Sequence, residues 1–307
     1  MKRTFFILYI ALFSCGYSAL AQAPDTLRAK ASYSFTHIED TTQRDKPHEE
    51  QMVVLLGRNT SAYLSMDKIT QDEQRRKTIE EQIKNSVPGK FEIKVTGSQK
   101  RVTGVEIYMF ANEKKMVSKQ TLINNYLIEE PLPVIDWKIS SEFSVISGLK
   151  CQKATAHFKG RNYIAWFCQD LPFQSGPWKL SGLPGLIVEA YDTKKEVIFK
   201  FDGFEEVKNK AEEQEKEQII NGTVLKLSGL SSEDVLKAPT ISLPKDGIKT
   251  TKKEFEKLNE AMKKDPTGFI NSAMAGSGMV KANSKVNVIN RPNKIESNNP
   301  IELPETK

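Results

Sequence analysis

The sequence predicts a mainly β protein of the β-rich α+β kind: an antiparallel meander with one or two peripheral helices. Two observations predict it. Short runs alternate apolar and polar residues with period two, and Gly, Asn and Pro turn signals separate them. No stretch shows the strand–helix–strand alternation of a parallel α/β fold. With 38% hydrophobic residues and a mean hydropathy of −0.46, the 307-residue chain has enough apolar material for one sizeable core.

The first element is set apart before any fold is read. Met1-Lys2-Arg3 is basic, Thr4 to Phe13 is almost wholly apolar, and Ala19-Leu20-Ala21 has small residues at cleavage spacing. This is the layout of a secretory signal peptide, expected over 1–21 with export to the periplasm or the extracellular space. The apolar run is too short to span a bilayer. Leu12-Phe13-Ser14-Cys15 has the outline of a lipoprotein signal, but Phe13 is too bulky for it, so a lipid anchor is not expected. Lys2 and Arg3 leave with the leader, taking 45 basic residues to 43 against 39 acidic ones, a mature excess of +4. That mild, dispersed charge and the lack of a recognition motif argue against nucleic acid as a partner. No later segment reads as a membrane-spanning helix, so the chain is not expected to be an integral membrane protein.

An antiparallel core is expected over 22–207. Ala29, Ala31, Tyr33 and Phe35 define a half-buried strand. Asp40 to Glu50 reads as a loop. Met52 to Leu56 and Ala62 to Met66 flank Gly57-Arg58-Asn59-Thr60 as a hairpin. A helical excursion is expected near 67–86, with Ile69, Ile79 and Ile83 as its apolar points and Pro88-Gly89 beyond its end. Phe91 to Val95, Gly104 to Ala111, Met116 to Lys119 and Leu122 to Ile128 follow as strands. Pro131 and Pro133 break the pattern, and Val134 to Ile139 resumes it around Trp137.

Cys151 and Cys168 remain after removal of the leader. Gln152, Ala154, Ala156 and Phe158 alternate with Cys151, Lys153, Thr155 and His157, and Tyr163 to Cys168 returns. With Gly160-Arg161 as the turn, Lys153 stands opposite Cys168, and Cys151 is diagonal to it on the same face. Diagonal neighbours are about 7–8 Å apart, slightly beyond the roughly 4.4–6.8 Å Cα reach of a disulfide. A bulge would close the gap. In an exported chain two thiols favour a disulfide; two buried, unpaired side chains are the alternative. Metal ligands are not expected, and Cys151, His157 and Cys168 are the weak candidate set for a soft ion. No cofactor is expected.

Val197 to Phe201 ends the core. Residues 208–307 form a C-terminal extension. It comprises a charged linker, a strand near Val224, a helix near 251–264 with Thr250 or Thr251 and Glu254 at capping-box spacing, and a polar tail of the composition that stays partly disordered.

Gly182-Leu183-Pro184-Gly185-Leu186-Ile187 is the most distinctive run. Pro184-Gly185 is a preferred central pair of a type II turn, and Leu186 onward alternates as a strand. The segment reads as a structural corner. Glycines that cradle phosphate would need a helix to follow. Together with Gly148-x-x-Cys151-Gln152-Lys153-Ala154, Phe158-x-Gly160-Arg161-x-Tyr163 and Ala165-Trp166-Phe167, the hexapeptide resembles the GLPGLI family. The opening Tyr33 strand and Asn299-Pro300-Ile301-Glu302-Leu303 also fit. The resemblance implies an exported Bacteroidota protein of unknown function, with no catalytic residue to carry over. Asp25-Thr26-Leu27 and Asp40-Thr41-Thr42 resemble the O-glycan acceptor pattern of that group, with Thr26 and Thr41 as acceptors.

No nucleophile elbow or zinc-protease helix is present, so no catalytic residue is expected. A meander with a helical excursion looks like the open half-barrels that carry lipids or lipoproteins. The expected role is therefore a non-enzymatic binding or carrier protein for an apolar ligand or an envelope partner. An envelope hydrolase, or an accessory of an outer-membrane transport complex, is the alternative.

Overall fold

The protein, in a computed structural model, is described over residues 25–85, 100–122, 124–207, 219–220, 223–224, 235–236, 238–245, 247–269, 272 and 297–305. The leader expected at 1–21, the strand at Phe91 to Val95, the linker and most of the polar tail lie outside these residues.

The chain enters through β1 (Asp25–Thr26) and then builds a twelve-stranded sheet from its middle outward. Wing one comprises β2 (Ala29–His37), β3 (His48–Leu56), β4 (Thr60–Ser65), β5 (Val105–Phe110), β6 (Lys115–Thr121) and β7 (Asn125–Pro131), each antiparallel to the last. Wing two restarts at the far edge with β8 (Lys138–Ile146) and returns through β9 (Leu149–Phe158), β10 (Arg161–Cys168), β11 (Leu186–Asp192) and β12 (Val197–Glu206). There β12 pairs antiparallel with β2 and joins the wings. The short pair β13 (Ile219–Ile220) and β14 (Thr223–Val224) stands apart, and β15 (Thr240–Ile241) pairs with β1. Finally β16 (Ile248–Thr250) adds, on β7, the one parallel pairing among the described residues.

The connector between the wings shows that this sheet is curved. β7 and β8 are ten strand places apart. Flat, ten spacings of about 4.8 Å would separate them by about 48 Å. Seven residue steps from Pro131 to Lys138 reach at most about 25 Å. The sheet must therefore curl, and the face that the connector crosses is the inside of the curve. Leu132, Ile135 and Trp137 pack on that face. Val134 to Ile139 was expected to be one strand; its first part is this crossing segment, and β8 begins only at Lys138. Pro131 and Pro133 withhold two backbone donors there, which disfavours a ladder.

The inner face carries the main core. Tyr33, Met52, Tyr63 and Met109 meet Ala154, Tyr163, Phe167 and Phe199 across it, with Trp178, Leu180 and Leu183 from the loop between β10 and β11. Wing one has a second apolar layer outside. Val53, Leu55, Leu64, Tyr108 and Phe110 are covered by Ile69 of helix α1 (Met66–Lys84) and by Ile241. Ser65 Oγ accepts the amide of Lys68 (2.9 Å) and so caps that helix. The side chains of Ile79 and Ile83 lie outside the description. Helix α2 (Lys252–Lys264) starts at a complete Thr251/Glu254 capping box, and its Phe255 packs edge-on against Tyr126.

A strap, Ser297 to Glu305, is fastened by Arg161. This buried guanidinium donates to Asp192 and Glu196 on one side, and to Asn299 Oδ1 and the carbonyls of Pro300 and Ile301 on the other. All its donors are satisfied, as a buried cation requires.

Candidate functional site

Three segments distant in sequence meet at the mouth of the curve. The β3–β4 turn brings Leu56 to Ser61, the connector brings Leu132 to Ile135, and the β10–β11 loop brings Pro172 to Ser175 with Ser181 and Gly182. Together with Met109 and Ala111 they enclose a cleft of about 520 Å³. Small-molecule sites typically run from about 300 to 1,000 Å³.

Each wall is held by the local chemistry of its sequence. Asp25 accepts the amides of Asn59 (2.6 Å) and Thr60 (2.9 Å), which fixes the turn. The Trp137 indole donates to Ser181 O (2.9 Å) and ties the connector to the loop. The loop is pinned at both ends by main-chain bonds: Gly182 N donates to Gln174 O and Ile187 N to Ser175 O.

Electrostatically the cleft is simple. Its lining is mixed: Leu56, Met109, Leu132, Ile135 and Phe173 alternate with polar residues such as Asn59, Thr60, Ser61 and Gln174. Arg58 is the one ionisable residue lining it among the described residues. Arg58 is exposed and makes no ion pair or hydrogen bond among the described residues. Ser175 is buried, and its Oγ meets no donor or acceptor. An unpaired buried hydroxyl costs free energy, and this one has no accessible surface toward the cleft.

The hexapeptide lies at the root of this loop, but its geometry differs from expectation. A type II turn would put Gly185 in the left-handed region. Instead Gly185 N donates to Leu183 O (2.8 Å), an i→i+2 bond around Pro184. Gly185 is required for a different reason: a Cβ there would stand 2.2 Å from Cys168 O. The corner lets two backbones touch.

The cysteine hairpin also shifts. Its turn is Lys159-Gly160, with φ of 51° and 70°, not Gly160-Arg161. The register is therefore two residues from the expected one: Lys153 faces Trp166, and Gln152 faces Phe167. Cys151 and Cys168 are both free and both buried, so the disulfide expected from the sequence is not formed in this structure. Burial, with Cys168 nearby, raises the Cys151 thiol to about 11. His157 shares the face of Cys151 but sits six residues along the strand, about 20 Å away. It is exposed, bonded to Asn162 and Glu305 at 2.8 Å each, and its pKa is raised by those two partners. The candidate set Cys151, His157 and Cys168 is therefore not brought together. Among the described residues no group of three ionisable ligands could hold a metal.

Other polar clusters serve the fold. Glu50 accepts from His48, Ser65 and Thr103. Burial acts to raise its pKa, but these bonds outweigh it and hold the carboxyl below its ordinary value. The cleft itself escaped sequence reading because the turn at 57–60 and the hexapeptide beginning at Gly182 each read as local corners, with nothing to show that they meet. The proline pair at 131 and 133 was the available signal.

Residues 157–189 match a family described as "Protein of unknown function (Porph_ging)". No curated protein matches the chain. Two solved structures of PNGF-II are similar in part, each at 11% identity. The form in space group P21 has a TM-score of 0.42 over 60% of this chain and 29% of that one. The C2 form has a TM-score of 0.45 over 75% of this chain and 32% of that one. This chain thus spans about a third of the length of either.

Proposed function

We propose that this protein is a non-enzymatic binding or carrier protein of the cell envelope, and that the cleft between its wings takes a small ligand with an apolar body. The cleft itself carries the reading: about 520 Å³, with Met109, Leu132, Ile135 and Phe173 offering apolar surface between neutral polar groups, and Arg58 as its one ionisable side chain among the described residues. Hydrolysis would call for a nucleophile beside a base, and the lining offers no His, Cys, Asp or Glu among the described residues. The basic–apolar–small leader supports export. The matched stretch 157–189 contains the hexapeptide, which supports the wider GLPGLI resemblance.

Native mass spectrometry of the protein taken from its own envelope tests this. A retained mass is expected in the natural protein, and its loss in Ala111→Trp, which fills the cleft from an exposed position. Retention of that mass in the variant, or an apo mass in both, would sink the proposal.

A second reading, docking to an envelope partner, is favoured by β8. This edge strand exposes Ile139, Phe143 and Val145 on one face, and an unpaired edge with apolar side chains invites another strand. Val145→Lys would abolish co-purification of such a partner and leave the cleft ligand in place.

A further inference from the structure

The hairpin β9–β10 fixes where its two thiols stand. Phe158 and Arg161 flank the two-residue turn and close it. In such a hairpin the closing pair is hydrogen-bonded, and bonded and non-bonded pairs alternate from there. Counted along the ladder, Gln152 and Phe167 are a bonded pair. The ladder ends there; continued by one step it places Cys151 opposite Cys168 at a non-bonded position, in keeping with the influence of Cys168 on the Cys151 thiol. There Cα atoms are about 4.5 Å apart and side chains approach most closely. That separation lies inside the range a disulfide spans, about 4.4–6.8 Å. The diagonal placement read from the sequence, and the bulge it called for, both disappear.

We propose that Cys151 and Cys168 are an oxidisable pair, and that closing them as a cross-strand disulfide locks the β10–β11 loop. Two S–H bonds break and one S–S bond forms. The two protons and two electrons pass to the disulfide of a dithiol–disulfide carrier, whose S–S bond breaks to give two thiols. Neither sulfur is reachable in the folded chain, where both residues are fully buried. Exchange therefore belongs to the stage at which the hairpin has formed and the loop has not yet covered it. Once covered, the same burial shields the bond from reductant.

The loop is tied to this pair at both ends. Cys168 O accepts the amide of Leu171 at one end and is the atom against which Gly185 rests at the other. Leu186, just past the loop, pairs with Cys168 in the ladder. Holding Cys168 to Cys151 therefore holds one wall of the cleft. The consequence for the cleft rests on the binding reading; the bond does not.

Two measurements test the proposal. Protein matured in an oxidising compartment is denatured with an alkylating reagent, with and without prior reduction, and weighed intact. The expected mass without reduction is two hydrogens below that of the dithiol, with no alkyl group added. Two alkyl groups added without reduction would overturn the bond. Hydrogen exchange is then followed at amides 171–187 in the oxidised protein, the reduced protein and the Cys151→Ala/Cys168→Ala variant. Exchange roughly tenfold or more slower in the oxidised form alone is expected. Equal rates in all three would overturn the locking. Neither readout involves a ligand, so failure here and failure of the binding proposal are separate events.

Discussion

Wing one and wing two are the same meander stabilised in two ways. In the middle of wing one the sheet is buried on both faces: β4 is buried at every position, and β5 at all but its first. In wing two burial alternates, as in β12 from Val197 to Phe201, and the outer face meets solvent. What a second apolar layer does for wing one, the polar clamp of Arg161, Asp192, Glu196 and the strap does for wing two. An antiparallel sheet tolerates one wet face, but its end must then be fastened by other means.

This contrast can be broken most severely at the clamp. Arg161→Ala leaves Asp192 buried without its cation, leaves Glu196 with Arg44 alone and releases the strap, at an expected cost of about 3–5 kcal/mol in urea unfolding. Next comes the second layer. Leu64→Ala, outside wing one, is expected to cost about 2–4 kcal/mol, and Ile164→Ala, on the half-exposed outer face of wing two, about 1 or less. Equal losses would show that the layer over wing one contributes little.

Acid sharpens the comparison further. Burial lowers the pKa of His37, which bonds Asn299 O of the strap (2.8 Å). A lowered value means that its stabilisation is complete above its ordinary pKa near 6.5 and fades as pH falls below that. For Glu196, burial works upward, but Arg44 and Arg161 outweigh it and hold the carboxyl below its ordinary value. Its stabilisation is present above the ordinary glutamate range and is lost as pH falls through the lowered one. His157, raised by Asn162 and Glu305, acts in the opposite sense, but it is solvent-exposed and weighs little. The urea midpoint should therefore fall in two stages on acidification, and Glu196→Gln should flatten the lower stage. A midpoint independent of pH would remove the clamp's electrostatic role. The smallest effect is expected at the edge of wing one: Thr251→Ala removes the α2 cap for about 1 kcal/mol by the same assay.

Much of this architecture was legible. Period-two alternation found β2, β9 and β12 because each has one wet face. The hairpin Met52 to Met66 was found through its Gly-Arg-Asn-Thr turn. Where reading failed, a residue acted against its habit. Lys159 takes a left-handed conformation that lysine rarely adopts, which moved the turn by one residue and the cysteine register by two. Arg161 reads as a turn residue, yet its place is in a strand, where it reaches Asp192. The i→i+2 corner at Pro184 followed the proline correctly but assigned Gly185 the wrong reason. The cleft was invisible because its walls come from turns near residues 58, 134 and 174, and only the curl of the sheet brings them together.

That curl has a kinetic side. The seam between β2 and β12 joins the hydrogen-bonded neighbours most distant in sequence within the large sheet. For an unstructured chain, closing so long a loop is slow. Each wing, however, is built from neighbouring hairpins that can form independently. Once both exist, the loop left to close is the connector from Leu132 to Trp137. Lengthening that connector with Gly and Ser should slow the last refolding phase in stopped-flow measurements and leave the earlier ones unchanged. The segment that bends the sheet would then also set the pace at which it closes.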